Sequence, residues 1–214
     1  MNRLLSILTI VILNSFFATV FANDLSTDLS QFLPDHCYFS GHFHEEKQLP
    51  GLPQKVLSKG KFYFACDRGL IWQTQSPVQN SLLYTLGKDH YRLDQNNTLE
   101  KLEGRSHKHL AKLLNNLMSG NQDYLHKYFE IIQFNEKSHS VTLTSRKKSM
   151  AKFIHSLNLT KNEGEVTIQM QGEKSGNSLI RIDNLQATEE FVSECCRFVI
   201  PQAALCLGLE TQTP

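Results

Sequence analysis

The chain has 214 residues, with 22 Lys and Arg against 21 Asp and Glu and a formal net charge of +1. A chain this close to neutral lacks the basic surface that neutralises phosphates, so nucleic-acid binding is excluded as its main function. The basic residues are not clustered either, which disfavours an anionic membrane surface as a partner.

The first 22 residues predict a cleavable signal peptide. Arg3 precedes an uncharged apolar run from Leu4 to Val20, and the small residue Ala22 stands where cleavage is expected. The alternative is an uncleaved anchor, which needs roughly 20 apolar residues to span a bilayer. We expect residues 1–22 to be removed, and residues 23–214 to form a single exported domain with a sizeable core.

All five cysteines lie after the predicted cleavage point: Cys37, Cys66, Cys195, Cys196 and Cys206. Some should pair in an oxidising compartment, although the odd number leaves at least one thiol over. The chain has no Cys-x-x-Cys sequence, which disfavours thioredoxin-like redox chemistry.

The first predicted elements are a short helix and a β-hairpin. Leu25, Leu29, Phe32 and Leu33 form one helical stripe that ends at Pro34. Residues 37–47 then alternate as a strand does, and a second strand follows a loop with two prolines. A hairpin centred on this loop puts Cys37 opposite Cys66, but a shift of one residue would separate them, so this disulfide is a hypothesis.

The second strand, in GKFYFACDRGLIWQTQSP (residues 60–77), is apolar on both of its faces. Phe62 and Phe64 share one face and Tyr63 lies on the other. Tight turns are predicted at Asp67–Gly69 and Gly87–Asp89. These connections indicate an antiparallel meander.

A second helix is predicted between Ser106, as N-cap, and Gly120, as the C-terminal stop. The chain then returns to strands, at residues 128–135, 139–146, 150–157, 157–162, 165–172, 178–186 and 196–201. An antiparallel meander of about nine to eleven strands should curl into a barrel or a strongly curved sheet, with the helices over one open side.

Motifs for metal binding and catalysis are weak. His42 and His44 share a strand face, but no third ligand stands at a recognisable spacing. Ser145 and Lys148 fit Ser-x-x-Lys, yet they follow a strand instead of opening a helix, and Gly-x-Ser-x-Gly is absent. We therefore predict neither an enzyme nor a cofactor or metal. The apolar strand surface fits an ordinary core and a ligand cavity equally well.

The order of motifs resembles the LolA-like family of periplasmic lipoprotein carriers over essentially the whole mature chain. The matching positions are Ser40-Gly41-x-Phe43, Gly60-x-Phe62-x-Phe64, Leu70-x-Trp72, Pro77 and Gly87-Lys88. The resemblance implies an unclosed antiparallel β-barrel of about 11 strands, with short helices as a lid over a hydrophobic cavity. It further implies a monomeric periplasmic protein that takes acylated cargo from an inner-membrane transporter to an outer-membrane acceptor.

The resemblance also implies site residues. Leu70 matches an apolar position associated with the transporter partner, and we expect Arg68 beside it to take part. The expected lipid-binding residues are Phe39, Phe43, Phe62, Phe64, Trp72, Leu110, Leu113, Leu114 and Leu117.

One departure from the family concerns its cavity arginine, which latches the lid. Cys66 stands at that position, so either the latch is absent or Arg68 replaces it from a different angle. This leaves the cargo open between an acylated lipoprotein and another envelope lipid. A lipid sensor or regulator and a lipid-modifying enzyme are the alternative functions.

Overall fold

The structure is a computed structural model that describes residues 29–32, 36–87, 89–96 and 98–187. The predicted signal peptide, three of the five cysteines and the strand predicted at 196–201 lie outside these residues. So do Leu25, Leu33 and Lys88, and of the first predicted helix a 3-10 turn at Leu29–Phe32 is described. The predicted single domain, residues 23–214, likewise extends beyond the described part.

The described chain forms one antiparallel sheet of eleven strands. The strands are β1 (Tyr38–Gln48), β2 (Val56–Ala65), β3 (Gly69–Ser76), β4 (Asn80–Thr85), β5 (Tyr91–Leu93), β6 (Leu99–Lys101), β7 (Phe129–Asn135), β8 (Ser140–Ser145), β9 (Ser156–Asn162), β10 (Glu165–Gly172) and β11 (Gly176–Ala187). The helices are α1 (Arg105–Met118), α2 (Gln122–Tyr128) and α3 (Lys148–Ala151).

The sheet consists of two meanders that meet in its middle. Its order is β6-β5-β4-β3-β2-β1-β11-β10-β9-β8-β7, so β1 lies beside β11, the last described strand. Strands β6 and β7 are its two edges and do not pair with each other in the described chain, so the sheet is open. This confirms the predicted fold class, a mainly β, unclosed antiparallel sheet with short helices.

Helix α1 packs its apolar stripe on one face of the sheet, which we call the inner face. Ala111, Leu113, Leu114, Leu117 and Met118 are buried there. Gly120 follows the helix at φ 64°, and the amides of Gly120 and Asn121 bond back to the carbonyls of Leu117 and Asn116. This is a Schellman ending, as a glycine stop predicts.

Three local predictions were wrong. The residue before α1 is Gly104 rather than Ser106, and no side chain caps this end of the helix. Helix α2 was missed, although Asn121 caps it by accepting a hydrogen bond from the amide of Tyr124 at 3.0 Å. Residues 150–157 were predicted as a strand, but α3 occupies 148–151 and β9 begins only at Ser156.

Two glycines of the quoted motifs make room for phenylalanine rings on the neighbouring strand. Gly41 pairs with Phe62, and Gly60 pairs with Phe43. A Cβ on Gly41 would lie 2.7 Å from the Phe62 ring, and one on Gly60 would lie 2.9 Å from the Phe43 ring and 1.9 Å from the carbonyl oxygen of Gln73. The spacing of Gly and Phe in both strands thus follows from close packing across the β1–β2 pair.

The apolar residues on both sides of β2 belong to two clusters. Phe62 and Phe64 lie in the main core on the inner face, beneath α1. Tyr63 and Ala65 lie on the opposite, outer face, in a smaller cluster with Ile71, Leu83 and Leu93. Strand β2 therefore packs apolar side chains on both faces, which explains why its sequence does not alternate.

Candidate functional site

A cavity of about 320 Å³ lies between the inner face of the sheet and the N-terminal half of α1. Its lining comes from β1, β3, β4, β10, β11, α1 and the segments around Phe153 and Gly176. The lining residues are Glu45, Lys47, Leu49, Trp72, Leu82, Tyr84, Ser106, His107, Leu110, Leu114, Phe153, Ile154, Met170, Lys174, Ser175, Gly176, Ser178 and Ile180. The volume lies at the lower end of the roughly 300–1,000 Å³ that is typical of small-molecule sites.

The aromatic wall of the cavity is built around Trp72. Its ring stacks on Phe43 with centroids 3.9 Å apart and on Phe62 with centroids 5.9 Å apart. Trp72 pairs directly with Phe62 and with Leu82 across neighbouring strands. The packed rings hold Trp72 in place and present it to the cavity.

The nine expected lipid-binding residues fall into three groups. Trp72, Leu110 and Leu114 line the cavity. Phe62 and Leu117 line a separate void of about 20 Å³, which is too small for a ligand. The remaining four pack in the main core and line neither space; they are Phe39, Phe43, Phe64 and Leu113.

The cavity also contains polar groups. The Glu45 carboxylate accepts hydrogen bonds from the hydroxyls of Ser178 and Ser58. The Tyr84 side chain is 2 % exposed, and its hydroxyl has no hydrogen-bond partner among the described residues. Burial, with a further contribution from the Glu45 charge, raises the pKa of Tyr84. Tyr84 therefore stays protonated, and its hydroxyl is itself buried, without contact to the open space of the cavity.

Basic side chains line the same cavity near the start of α1. Lys47 and Lys174 contribute to the lining, and so does His107. Desolvation lowers the pKa of His107, and the positive charges of Lys47 and Arg92 lower it further. His107 is consequently neutral at pH 7, and the lysines carry the positive charge of the lining.

The opposite end of β1 is cross-linked. Cys37 and Cys66 form a disulfide, with their Cα atoms 5.2 Å apart. Strand β1 extends roughly 30 Å from this bridge to Lys47 at about 3.3 Å per residue. We call the part around Cys37, Cys66 and the turn at Asp67–Gly69 the closed end, and the part around the cavity, with Lys47 and His107, the open end. The Asp67–Gly69 turn thus lies at the closed end and not beside the cavity.

The two expected partner-binding residues lie at the closed end. Leu70 is 2 % exposed and belongs to the main core, so its side chain offers almost no surface in this conformation. The side chain of Arg68 is 26 % exposed, and its Nε lies 3.6 Å from the Asp67 carboxylate. Its ion pair is thus with the neighbouring residue of the turn and not with α1.

Sequence reasoning missed Asn115, which fastens α1 to the sheet. Its Nδ2 donates to the carbonyl oxygens of Tyr84 and Thr85 at 3.0 and 3.2 Å. The available signal was a polar residue in the middle of an otherwise apolar helical stripe, between Leu114 and Leu117. Among the described residues, it is the side chain of Asn115, and not that of Cys66 or Arg68, that fastens α1 to the sheet.

The two strand histidines lie on the outer face, away from the cavity. His42 Nδ1 and His44 Nε2 approach the Asp183 carboxylate at 3.7 and 3.9 Å, and both side chains are substantially exposed. Within the described ranges, no group of three or more His, Cys, Asp or Glu side chains is arranged to hold a metal ion. No helix in the described part of the chain has the length and apolar content of a membrane span.

Neither a family model nor a curated protein matches the chain. Among solved structures, it is similar to a LolA superfamily protein from Nitrosomonas europaea, with 11% sequence identity, a TM-score of 0.43, and coverage of 76% of this chain and 91% of that one. It is also similar to a DUF1329 family protein from Desulfovibrio piger, with 11% identity, a TM-score of 0.42, and coverage of 81% and 96%.

Proposed function

We propose that this protein is a periplasmic carrier that binds an acyl chain of a lipoprotein or a related envelope lipid and moves it from the inner to the outer membrane. The observation that carries this proposal is the cavity beneath α1, with Trp72, Leu110 and Leu114 in its wall. Its partners would be a transporter or exporter in the inner membrane and an acceptor in the outer membrane, with the carrier itself a monomer.

The way in which α1 covers the cavity supports reversible ligand binding. The first turn of α1 contains Ser106 and His107, which line the cavity, yet no side chain caps this end of the helix and its first turn has no acidic residue. Uncapped amides and an unopposed helix dipole make a helix end easier to fray. A ligand could therefore enter and leave by displacement of this half of the lid.

The energetics of a carrier set a condition on this site. Burial of an acyl chain contributes about 0.8 kcal/mol per methylene, so a chain of about 16 carbons gains over ~10 kcal/mol relative to water. A bilayer offers the same gain, and the carrier must therefore match the membrane without exceeding it. A cavity at the lower end of the usual size range and a lid that opens at one end suit this condition.

The Ser-x-x-Lys sequence offers no support for the enzymatic alternative. The Ser145 hydroxyl donates to the backbone carbonyl of Ile154. Ser145 ends β8, and Lys148 begins the four-residue helix α3. We accordingly propose a binding role and no catalytic step.

Transfer of a fluorescent acyl lipid between donor and acceptor vesicles tests the carrier function. We expect the mature protein to accelerate transfer in proportion to its concentration, and Leu110→Glu to abolish most of this acceleration by placing a charge in the cavity wall. Leu57→Glu is the matched control, because Leu57 is 63 % exposed and does not line the cavity. Equal transfer by all three proteins, or none by the wild type, would refute the proposal.

A further inference from the structure

The cavity has an excess of positive charge in its lining. Lys47 and Lys174 both line it, and neither forms an ion pair with another residue of the described chain. Among the described residues, Glu45 is the single acidic residue of the lining. The two lysines therefore lack a counter-charge, and an anionic group of a ligand can supply one.

The backbone brings the two lysines to the same end of the cavity. Lys47 is the last residue of β1 that faces the cavity. Lys174 lies in the turn between β10 and β11, which the pair Gly172 and Gly176 closes. A Cβ on Gly176 would lie 2.0 Å from the carbonyl oxygen of Gln48, so this turn touches the end of β1. Both lysine side chains thus start from adjoining backbone segments at the open end.

Hydrogen bonds hold the turn that carries Lys174. The amide of Lys174 donates to the carbonyl oxygen of Lys152 at 2.8 Å, and the hydroxyl of Ser175 donates to the carbonyl oxygen of Phe153. Phe153 itself lines the cavity. The backbone of Lys174 is therefore fixed against the cavity wall, whereas its exposed side chain can turn toward a ligand.

Glu45 determines where along the cavity an anionic group can lie. It precedes Lys47 by two residues on the same face of β1, and it is closer to Phe43, whose ring stacks on Trp72. Its negative charge repels an anion from this aromatic part, whereas the lysines attract one at the open end. A single-chain ligand would accordingly place its hydrocarbon toward Trp72 and its charged group toward Lys47 and Lys174.

The same charges select among the groups that a lipid can carry. A cationic group would be repelled by both lysines, and the Glu45 carboxylate already accepts hydrogen bonds from Ser178 and Ser58. A neutral ester or hydroxyl could lie at the open end, but it would gain no charge pairing. A carboxylate or a phosphate gains charge-assisted hydrogen bonds from the lysine ammonium groups.

We propose that the cavity binds acyl ligands with an anionic group at one end of the chain, a carboxylate or a phosphate, which Lys47 and Lys174 hold at the open end. This inference rests on the proposed lipid-binding function and specifies its ligand class. Uncharged acyl ligands would still bind to the apolar wall around Trp72, but without the contribution of the two lysines.

The test compares three 12-carbon probes. Laurate and dodecyl phosphate are anionic at pH 8, and 1-dodecanol is neutral. Binding is followed by the fluorescence of Trp72, which is the only tryptophan of the chain and lines the cavity. The quantity of interest is the Kd of each anionic probe divided by the Kd of dodecanol, because the contribution of the hydrocarbon cancels when this ratio is compared between variants. The anionic probe with the lower ratio identifies the preferred group as a carboxylate or a phosphate.

The cavity variant replaces both lysines, Lys47→Gln and Lys174→Gln. It should raise the ratio about tenfold for at least one anionic probe, as expected for loss of two partly exposed ion pairs. The matched control, Lys59→Gln with Lys61→Gln, removes the same charge from β2 at positions that pair with the outer-face histidines and do not line the cavity. Its ratio should stay within twofold of the wild type.

Ionic strength provides a second measurement that needs no variant. Salt screens charge pairs at a partly exposed site, so the preference of the wild type for the anionic probe should weaken as NaCl is raised at constant pH. The Kd of dodecanol should not rise in the same series. Thermal unfolding of both double variants checks that they are folded.

The outcomes separate this inference from the proposed function. A ratio raised by the cavity variant and not by the control, with a wild-type preference that salt weakens, supports both statements. A ratio that the cavity variant leaves unchanged, that the control raises equally, or that salt does not affect overturns the anion subsite and leaves lipid binding intact. An unchanged ratio with weaker binding to phosphatidylglycerol vesicles would assign the lysines to a membrane contact, which also overturns the subsite. Failure of the wild type to bind any of the three probes refutes the proposed function and the subsite together.

Discussion

The closed and open ends of the molecule are built from the same sheet and the same helix but differ in how they are held. At the closed end, the Cys37–Cys66 disulfide joins β1 to the end of β2, and Asn115 fastens α1 to two backbone carbonyls. At the open end, the first turn of α1 has no cap and lies over a cavity.

This difference indicates that the two halves of helix α1 are held against the sheet with different firmness. Its C-terminal half contributes Leu113 and Leu117 to the packed core, and the void that Leu117 lines has a volume of only about 20 Å³. Its N-terminal half covers empty volume and begins after Gly104, which has a φ of 103°. Since local opening requires little loss of packing at that half, we expect α1 to open from Gly104 while its C-terminal half stays attached.

The largest predicted difference between the two halves concerns truncated leucines. Leu117→Ala should lower the free energy of unfolding by about 2–5 kcal/mol, because it leaves a hole in a packed core. Leu110→Ala should lower it by less than about 1.5 kcal/mol, because Leu110 is only partly buried and already faces a cavity. Urea unfolding of both variants measures this difference. Equal losses of the free energy of unfolding would show that the two halves of α1 are packed alike.

A smaller effect is predicted for the fastening at Asn115. Asn115→Ala should lower the free energy of unfolding by about 1 kcal/mol, because two backbone carbonyls lose a hydrogen-bond donor. Hydrogen exchange should become faster in the C-terminal half of α1, which the wild type protects. Lys108→Ala, at an exposed position of the same helix, is the control. The fastening role fails if exchange in that half is the same in both variants.

The smallest effect is a dependence on pH at the open end. Desolvation is the main cause of the lowered pKa of His107 and of His90, so the folded protein disfavours their protonated forms. Below the ordinary histidine pKa of about 6.5, the unfolded chain binds more protons than the folded one, and stability falls as the pH falls. His107→Gln should therefore lose less stability than the wild type between pH 7 and pH 5.5, as measured by urea unfolding.

The control for this pH effect is Leu57→Gln, because Leu57 is largely exposed and does not line the cavity. Its loss of stability over the same pH range should match that of the wild type. A His107→Gln variant that also matched the wild type would show that protonation of His107 does not affect the lid.

The fold was largely predictable from sequence because its signals are local and periodic. Alternation in residues 37–47 predicted β1, and the apolar stripe from Leu110 to Met118 predicted α1. The short helices were not predictable in this way. Helix α2 has seven residues and α3 has four, which is too few for an apolar stripe to be recognised. The strand-like sequence after Tyr128 also made the end of α2 difficult to identify.

The candidate site was only partly predictable. Alternation identifies the face of a strand on which a residue lies, but it does not show whether that face meets a packed core or a cavity. Phe64 and Trp72 therefore looked equivalent in the sequence, although only Trp72 lines the cavity. The polar lining was not predictable either, because its residues lie on strands that are far apart in the sequence. They are Glu45, Tyr84 and Ser178, and no sequence spacing indicates that they meet at one cavity.

The most direct test of the central claim is native mass spectrometry of the protein purified from its own cells. We expect an acyl-bearing molecule to co-purify with the wild type and with Leu57→Glu, and to be absent from Leu110→Glu. Wild-type protein that carries no such molecule, or a Leu110→Glu variant that carries it as fully as the wild type, would contradict the assignment of the open-end cavity as a lipid site.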